Sequence, residues 1–215
     1  MSVVTDIKPQ KRKADHADIY LDNRRAFSLS LVVIHKAGLR IDQNLSQPEI
    51  EELIQEDCAQ SAFDAALHFL AYRPRSEAEI RARLRRRKFD EKAIDSALQR
   101  LEEQGLIDDS AFAQFWRENR DSFSPRSKRL LKMELRTKGV PPSVIEETVE
   151  SLDDQLNAYR AGAKRVRALK ALEYSAFREK LAGFLQRRGF GYDIIGPTVE
   201  RLWGEREEAN TDSSP

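Results

Sequence analysis

The densest cluster of chemically active side chains in the sequence is the basic run RARLRRRK at residues 81–88. Six of its eight residues are Arg or Lys, although the whole chain has a formal net charge of only +1. Guanidinium and ammonium groups at this density bind phosphates or carboxylates, and a guanidinium often does so through two hydrogen bonds at once. The run therefore indicates a surface for a polyanion or for an acidic protein partner.

Basic residues are concentrated in three segments of the chain. Residues 73–88 carry a net charge of +6, residues 126–138 carry +5, and residues 160–170 contain five basic and no acidic side chains. Three such segments favour a binding surface over a merely solvated helix face. The candidate binding residues are Arg73, Arg75, Arg81, Arg83, Arg85, Arg86, Lys88, Arg126, Lys128, Arg129, Lys132, Arg136, Lys164, Arg165 and Arg167.

The compensating acidic residues lie mainly in 90–109 and 146–154. If each segment is a separate helix of a repeat, equivalent helices line up, and the charges form one basic and one acidic edge. Within 76–88, a period of about 100° per residue places Arg81, Arg85 and Lys88 on one flank of the apolar stripe. Ordinary i,i+4 helix support, as between Glu77 and Arg81, remains the alternative explanation for the charge pattern.

No residue pattern in the sequence indicates catalysis. Phosphate-binding loops, dinucleotide fingerprints and HExxH are absent, and the three histidines, His16, His35 and His68, are isolated from one another. The single Cys58 has the surroundings of an ordinary partly buried thiol. We therefore expect a binding protein rather than an enzyme, with no cofactor and no metal site. Nothing resembling a signal peptide or a membrane span is apparent, so a cytoplasmic protein is expected.

The elements that must position the basic residues follow from a repeat of 50 or 51 residues. Leu84, Leu135 and Leu185 share this spacing, and four further sets of apolar residues keep the same register. Each repeat has the pattern of three helices punctuated by Pro, Gly and Ser. The second helices, at 76–88, 125–138 and 174–188, include two of the three basic segments. Aromatic residues near the basic segments lie at core spacing rather than where stacking platforms would be needed.

The residues before the repeats have a different pattern. Residues 1–18 are predicted to be a flexible basic arm. Apolar residues then alternate from Phe27 to Val33, after a polar turn at Asp22–Asn23, which predicts a β-hairpin, and Ser46 is predicted to begin a short helix. The expected fold is all-α, an elongated curved body of three tandem three-helix repeats preceded by a small hairpin and helix. The predicted divisions are the arm at 1–18, the hairpin and helix at 19–58, repeats at 59–108, 109–153 and 154–206, and a disordered tail at 207–215.

Three segments resemble the RecX family of regulators of the RecA recombinase. They are AALHFLAYRPRSEAEIRARLRRRKF from residue 65, IDSALQRLEEQGLIDDSAFAQFWRENR from residue 94, and KMELRTKGVPPSVIEETV from residue 132. The resemblance covers about 61–205, and the N-terminal hairpin and helix extend it to nearly the whole chain. The sequence departs from the family pattern at SPRSKR, where members commonly carry a glycine before the position of Arg129, and the third repeat is the least similar.

The resemblance implies a monomer that binds the groove of the filament formed by RecA on single-stranded DNA. It implies inhibition of ATP hydrolysis and strand exchange, with RecA as the partner, weak or indirect contact with single-stranded DNA, and no membrane. The basic surface alone is equally compatible with a non-specific DNA-binding architectural protein that has no RecA partner, although an acidic edge would repel wrapped DNA.

Overall fold

The computed structural model describes residues 1–11 and 13–211, which fall into two compact units. Unit 1 ends at Ile107 and unit 2 begins at Asp108. The elements of unit 1 are β1 (Ser2–Pro9), β2 (His16–Leu21), β3 (Arg24–Ser30), α1 (Leu31–Lys36), β4 (Asn44–Leu45), α2 (Gln47–Leu70), α3 (Glu77–Arg86) and α4 (Glu91–Glu103). The elements of unit 2 are α5 (Asp109–Phe123), α6 (Lys128–Thr137), α7 (Pro142–Glu150), α8 (Asp154–Val166), a 3₁₀ turn (Arg167–Leu169), α9 (Tyr174–Arg187) and α10 (Tyr192–Thr211).

The N-terminal strands form one antiparallel sheet in the order β3-β2-β1-β4. The turn between β2 and β3 has positive φ at Asp22 (49°) and Asn23 (64°), as a two-residue type I′ hairpin requires. One face of the sheet buries an apolar cluster that includes Val4, Ile19 and Leu29.

The prediction of a flexible arm at 1–18 is wrong for most of its length. Ser2–Pro9 is a full strand, and it pairs with β2 from Val4 opposite Leu21 to Pro9 opposite Ala17. Val4 is completely buried, so the arm contributes to the core as well as to the ladder. The predicted arm also includes Arg12, which lies outside the described residues.

The hairpin strand ends earlier than its alternating pattern predicts. Leu31 and Val33 belong to α1 rather than to β3, because Ser30 caps a helix there and its side chain accepts a hydrogen bond from Val33 N at 3.3 Å.

Helix α2 joins the N-terminal module to the first repeat. The sequence predicts a short helix from Ser46 that is separate from the helices of the first repeat, but Gln47–Leu70 is continuous and begins with a complete capping box between Ser46 and Glu49. Ile50 and Leu53 pack against the core of the sheet, whereas Ala62, Phe63 and Ala66 lie in the core of the first repeat. The two halves of one helix therefore belong to two cores.

The three predicted three-helix repeats are confirmed, and each has its own core. Leu84, Leu135 and Leu185 are fully buried at equivalent places, as are Ile94 and Ile145, and their counterpart Ile195 is only 4% exposed. The repeat register found in the sequence is therefore the register of the cores. Full burial of these side chains explains why apolar residues recur there.

The second helix of each repeat ends at a residue with left-handed backbone conformation. Gly139 and Gly189 hold this position in unit 2, with φ of 77° and 89°. Lys88 holds it in unit 1, with φ of 66°. A side chain at this conformation carries a steric cost that glycine avoids.

The prediction of a disordered tail from residue 207 is wrong up to residue 211, because α10 continues to Thr211. Arg206 supports this extension, since its guanidinium lies 4.2 Å from the Trp203 ring centroid and donates to Leu172 O at 2.8 Å. Residues 212–215 of the predicted tail lie outside the described residues. Over the described part of the chain, no helix has the length and apolar character needed to cross a membrane.

Candidate functional site

The guanidiniums of Arg81 and Arg85 on α3 are held by acidic residues of the same repeat. Arg81 donates to Asp95 Oδ1 at 2.6 Å and to Glu77 Oε1 at 3.2 Å. Arg85 donates two hydrogen bonds to the carboxylate of Glu91, at 2.7 and 2.9 Å. The hydrogen bond to Asp95 is the main cause of the raised pKa of Arg81. Because Glu91 and Asp95 belong to α4, the prediction of separate basic and acidic edges is wrong for α3 and α4.

Two further candidates in unit 1 are also engaged within the fold. Arg73 donates to both carboxylate oxygens of Glu79, at 3.0 and 3.1 Å. The guanidinium of Arg75 stacks 3.9 Å from the centroid of the Phe69 ring, and burial lowers its pKa. Both arginines hold the turn between α2 and α3 in place.

Three candidates near the end of α3 remain exposed. Among the residues the structure describes, Arg83, Arg86 and Lys88 have no ion-pair partner. The Arg83 guanidinium lies 5.5 Å from the centroid of the Phe69 ring, and Arg86 donates from Nε to Ala82 O at 3.3 Å. Their charges are therefore available to a partner, unlike those of Arg81 and Arg85.

In unit 2, the carboxylate of Glu134 on α6 interacts with several donor side chains. Its Oε2 accepts from Trp116 Nε1 and from Arg120 Nε, each at 2.8 Å, and its Oε1 forms an ion pair with Arg126. Burial lowers the pKa of Arg126, and the nearby charges of Arg120 and Arg188 add to the effect. Arg126 is thus an internal partner of Glu134 within a region of excess positive charge.

The remaining candidates of α6 divide in the same way as those of α3. Lys128 Nζ donates to Glu150 O at 3.0 Å, and Lys132 forms an ion pair with Glu146. Arg129 and Arg136 are exposed and have no ion pair within the described part of the chain. Helices α3 and α6 therefore each carry exposed arginines without an ion pair, next to basic residues that are bonded within their own repeat.

The third basic segment lies beside a small cavity of about 170 Å³ in unit 2, which we call the notch. Its lining includes Phe123, Lys164, Arg165, Phe184 and Arg188. Phe123 is 77% exposed, and the Arg188 guanidinium lies 4.5 Å from the centroid of the Phe184 ring. Arg167, the last candidate, is exposed in the 3₁₀ turn.

Sequence reasoning missed the aromatic residues of the notch. It placed aromatic residues at core spacing and found none among the basic ones, whereas the notch combines Phe123 and Phe184 with three cations. The available signal was the setting of Phe123 in DSFSPRS, where no apolar neighbour continues a helical stripe.

No group of three His, Cys, Asp or Glu side chains able to hold a metal occurs among the described residues. Burial, with a smaller contribution from Asp90, raises the pKa of Cys58. A smaller fraction of this thiol is therefore ionised to the reactive thiolate at neutral pH.

Four domains of one family match the chain. The regulatory protein RecX N-terminal domain matches residues 2–46, and the first, second and third RecX three-helix domains match 62–101, 108–149 and 153–196. The chain belongs to the RecX family. This result agrees with the architecture, since each matched helical domain contains most of one of the three buried cores.

Relatives named regulatory protein RecX match nearly the whole chain. The protein of Halalkalibacterium halodurans is 31% identical over 91% of this chain and 76% of its own length, and that of Clostridium acetobutylicum is 29% identical over 95% and 98%. A crystal structure of regulatory protein RecX has a similar fold, with a TM-score of 0.71, 23% identity, and coverage of 93% of this chain and 100% of its own. A second, of RecX from Lactobacillus salivarius, has a TM-score of 0.58 and 23% identity, and covers 68% of this chain and 97% of its own.

Proposed function

We propose that this protein modulates the RecA recombinase, mainly as an inhibitor, by binding the groove of the filament that RecA forms on single-stranded DNA. Bound there, a monomer in the cytoplasm blocks ATP hydrolysis and strand exchange. Membership of the RecX family is the observation that carries this proposal, because it is what links the fold to RecA.

The exposed arginines support the proposal by offering charge that no carboxylate among the described residues neutralises. Arg83 and Arg86 on α3, and Arg129 and Arg136 on α6, are exposed and have no ion pair within the described residues. Guanidinium groups in this state can bind carboxylates of a protein filament or phosphates of its DNA at little cost to the fold. The paired residues, such as Arg81 and Arg85, would first have to leave their own carboxylates.

The experiment compares two doubly charge-reversed proteins as inhibitors of the DNA-dependent ATPase of RecA. Arg129→Glu combined with Arg136→Glu should weaken inhibition at least tenfold, which corresponds to about 1.4 kcal/mol of binding free energy. Arg24→Glu combined with Lys92→Glu is the matched control, because both residues are exposed, lie outside the second helices, and change the net charge equally. Circular dichroism verifies that both variants keep their helix content.

Binding at about 150 mM salt separates the proposal from non-specific DNA binding. Exposed charges are screened beyond about 8 Å under these conditions, so affinity for bare single-stranded DNA should fall well below affinity for the RecA filament. Equal affinity for the filament and for bare DNA would favour an architectural DNA-binding protein instead. Unchanged inhibition by the folded α6 variant would exclude that helix from the contact.

A further inference from the structure

The notch in unit 2 combines a free aromatic ring with uncompensated positive charge. Phe123 ends α5 with 77% of its surface exposed, although a phenyl ring gains from being covered. Among the described residues that line the notch, Lys164, Arg165 and Arg188 are positively charged and none is negatively charged. An occupant should therefore offer both a flat apolar face and a negative charge.

Hydrogen bonds between the second and third repeats fix the walls of the notch. Arg188 donates to Ser124 Oγ at 2.8 Å and to Pro125 O at 3.1 Å, so the loop after Phe123 is tied to the end of α9. Lys164 Nζ donates to Ser122 O at 2.7 Å from the other side. The ring of Phe123 is thus carried by a segment that is held at both sides, which makes the notch a built feature of unit 2.

The second aromatic wall already carries guanidinium groups. Arg188 lies 4.5 Å and Arg165 lies 5.9 Å from the centroid of the Phe184 ring, so stacking orients both cations. Glu134, a carboxylate of the second repeat, is already bonded to Arg120 and Arg126 and is not among the residues that line the notch. Positive potential therefore remains at the notch, and burial lowers the pKa of Arg188 because its charge is poorly solvated there.

We infer that the notch binds one nucleotide of single-stranded DNA, with the base stacked on Phe123 and the adjoining phosphates near Lys164 and Arg165. A volume of about 170 Å³ is smaller than the ~300–1,000 Å³ of drug-sized pockets and suits a single planar group. Single-stranded DNA offers such a group, because the faces of its bases are uncovered, and its phosphates stand beside them.

An acidic peptide and duplex DNA fit the notch less well. A carboxylate would satisfy the cations but would leave the ring of Phe123 exposed, and duplex DNA keeps its base faces stacked on one another. This inference deepens the proposed function, on which its biological role rests, by naming where the protein contacts DNA. The test uses no RecA, so a notch that does not bind single-stranded DNA can be distinguished from a protein that does not bind RecA.

The test measures binding of fluorescently labelled oligothymidine by anisotropy, with Phe123→Ala beside the parent protein. Base–aromatic stacking is worth about 1–3 kcal/mol, so the variant should bind at least fivefold more weakly. Tyr72→Ala is the matched control, since Tyr72 in unit 1 is exposed to nearly the same degree, 74%, and lies outside the notch. Its affinity should equal that of the parent.

Four further measurements identify the occupant. Phe123→Leu keeps the bulk of the side chain without a π face and should show the same loss, whereas Phe123→Trp should bind, with its added indole fluorescence quenched by the DNA. An abasic strand of equal length should bind parent and Phe123→Ala alike. Duplex DNA should also bind both proteins alike.

Two results would overturn the inference. Equal binding of oligothymidine by the parent and Phe123→Ala would show that no base stacks on the ring. Equal loss by Phe123→Ala for oligothymidine and for polyglutamate would instead identify the notch as a site for acidic peptides.

Discussion

Replacing Glu134 by Gln should destabilise unit 2 considerably, because one carboxylate there serves three donors. The side chain of Glu134 is 13% exposed and accepts from Trp116 and Arg120 at 2.8 Å each, besides pairing with Arg126. The amide oxygen of Gln can replace one acceptor, but its NH₂ group would face a guanidinium, which is also a donor.

The magnitude follows from the burial of the arginines. Removing one partner of a buried ion pair costs about 3–5 kcal/mol, since the other charge is left without compensation. Arg120 and Arg126 are 23% and 29% exposed, so water can reach them and the retained amide oxygen offsets part of the loss. We therefore expect a loss of about 2 kcal/mol in the free energy of unfolding.

Urea denaturation followed by circular dichroism and tryptophan emission measures the effect. With a slope of about 1–3 kcal/mol per molar urea, the midpoint should fall by about 1 M. Glu146→Gln is the control, because Glu146 of α7 pairs with Lys132 of α6, the helix that carries Glu134, but is 57% exposed, and exposed pairs contribute about 0–1 kcal/mol. If Glu134→Gln costs no more than this control, the carboxylate does not organise unit 2 as the contacts indicate.

Three further predictions concern the backbone and one carboxylate, each measured on the purified protein. Gly189→Ala should destabilise the fold by at least about 1 kcal/mol in urea, because φ is 89° and a Cβ would lie 2.7 Å from a side-chain carbon of the second repeat. Gly105→Ala, with φ of 65° and no atom within 4 Å of its Cβ, should cost less, and the opposite order would contradict the proposed close approach. Lys88→Gly should stabilise the fold by about 0.5–1 kcal/mol and Gly139→Lys should destabilise it comparably, and unchanged stability of both variants would contradict a steric cost at these left-handed positions. Hydrogen bonds, chiefly from an arginine of β3, lower the pKa of Asp18 to about 2, so its contribution is full above the ordinary value of 3.8 and is lost as pH falls towards 2. Amide NMR signals of β2 and β3 should follow this titration, and Asp18→Asn should abolish it.

The repeats could be predicted from the sequence because their signal is local and occurs three times. Apolar residues such as Leu84, Leu135 and Leu185 recur every 50 or 51 residues, and glycines mark two of the three helix ends. Burial then follows directly, since each amphipathic helix must cover its apolar stripe.

The N-terminal strand could not be predicted in the same way. The composition of residues 1–18 is polar and basic, and pairing with β2, which places Val4 opposite Leu21, and with β4 makes Ser2–Pro9 a strand. Strand stability of this kind depends on neighbours that local composition does not contain. The continuity of α2 was missed for a related reason, because its two halves are held by different cores.

The sequence predicts which residues are basic enough to bind an anionic partner, but it does not predict which of their charges are left unpaired in the fold. The sequence located the basic segments, whereas only the structure shows that Arg81 and Arg85 are paired with carboxylates of α4 while Arg83 and Arg86 are exposed and have no ion pair within the described residues. Helical periodicity gives the direction of a side chain and not its partner on the next helix. The polar setting of Phe123 was a signal for one wall of the notch, but the notch itself could not be predicted, since its aromatic walls come from different repeats.

Helix α2 fixes a rotational phase between the N-terminal sheet and the first repeat. Its first half packs on the sheet through Ile50 and Leu53, and its second half packs in the repeat through Phe63 and Ala66. One inserted residue between these halves would turn the sheet by about 100° about the helix axis and shift it by about 1.5 Å. A flexible linker would accommodate such an insertion without a fixed change in orientation. In the continuous helix α2, the same insertion would rotate and translate the sheet relative to the first repeat. The number of residues in the helical stretch between the N-terminal domain and the first three-helix domain therefore sets the direction in which the sheet faces.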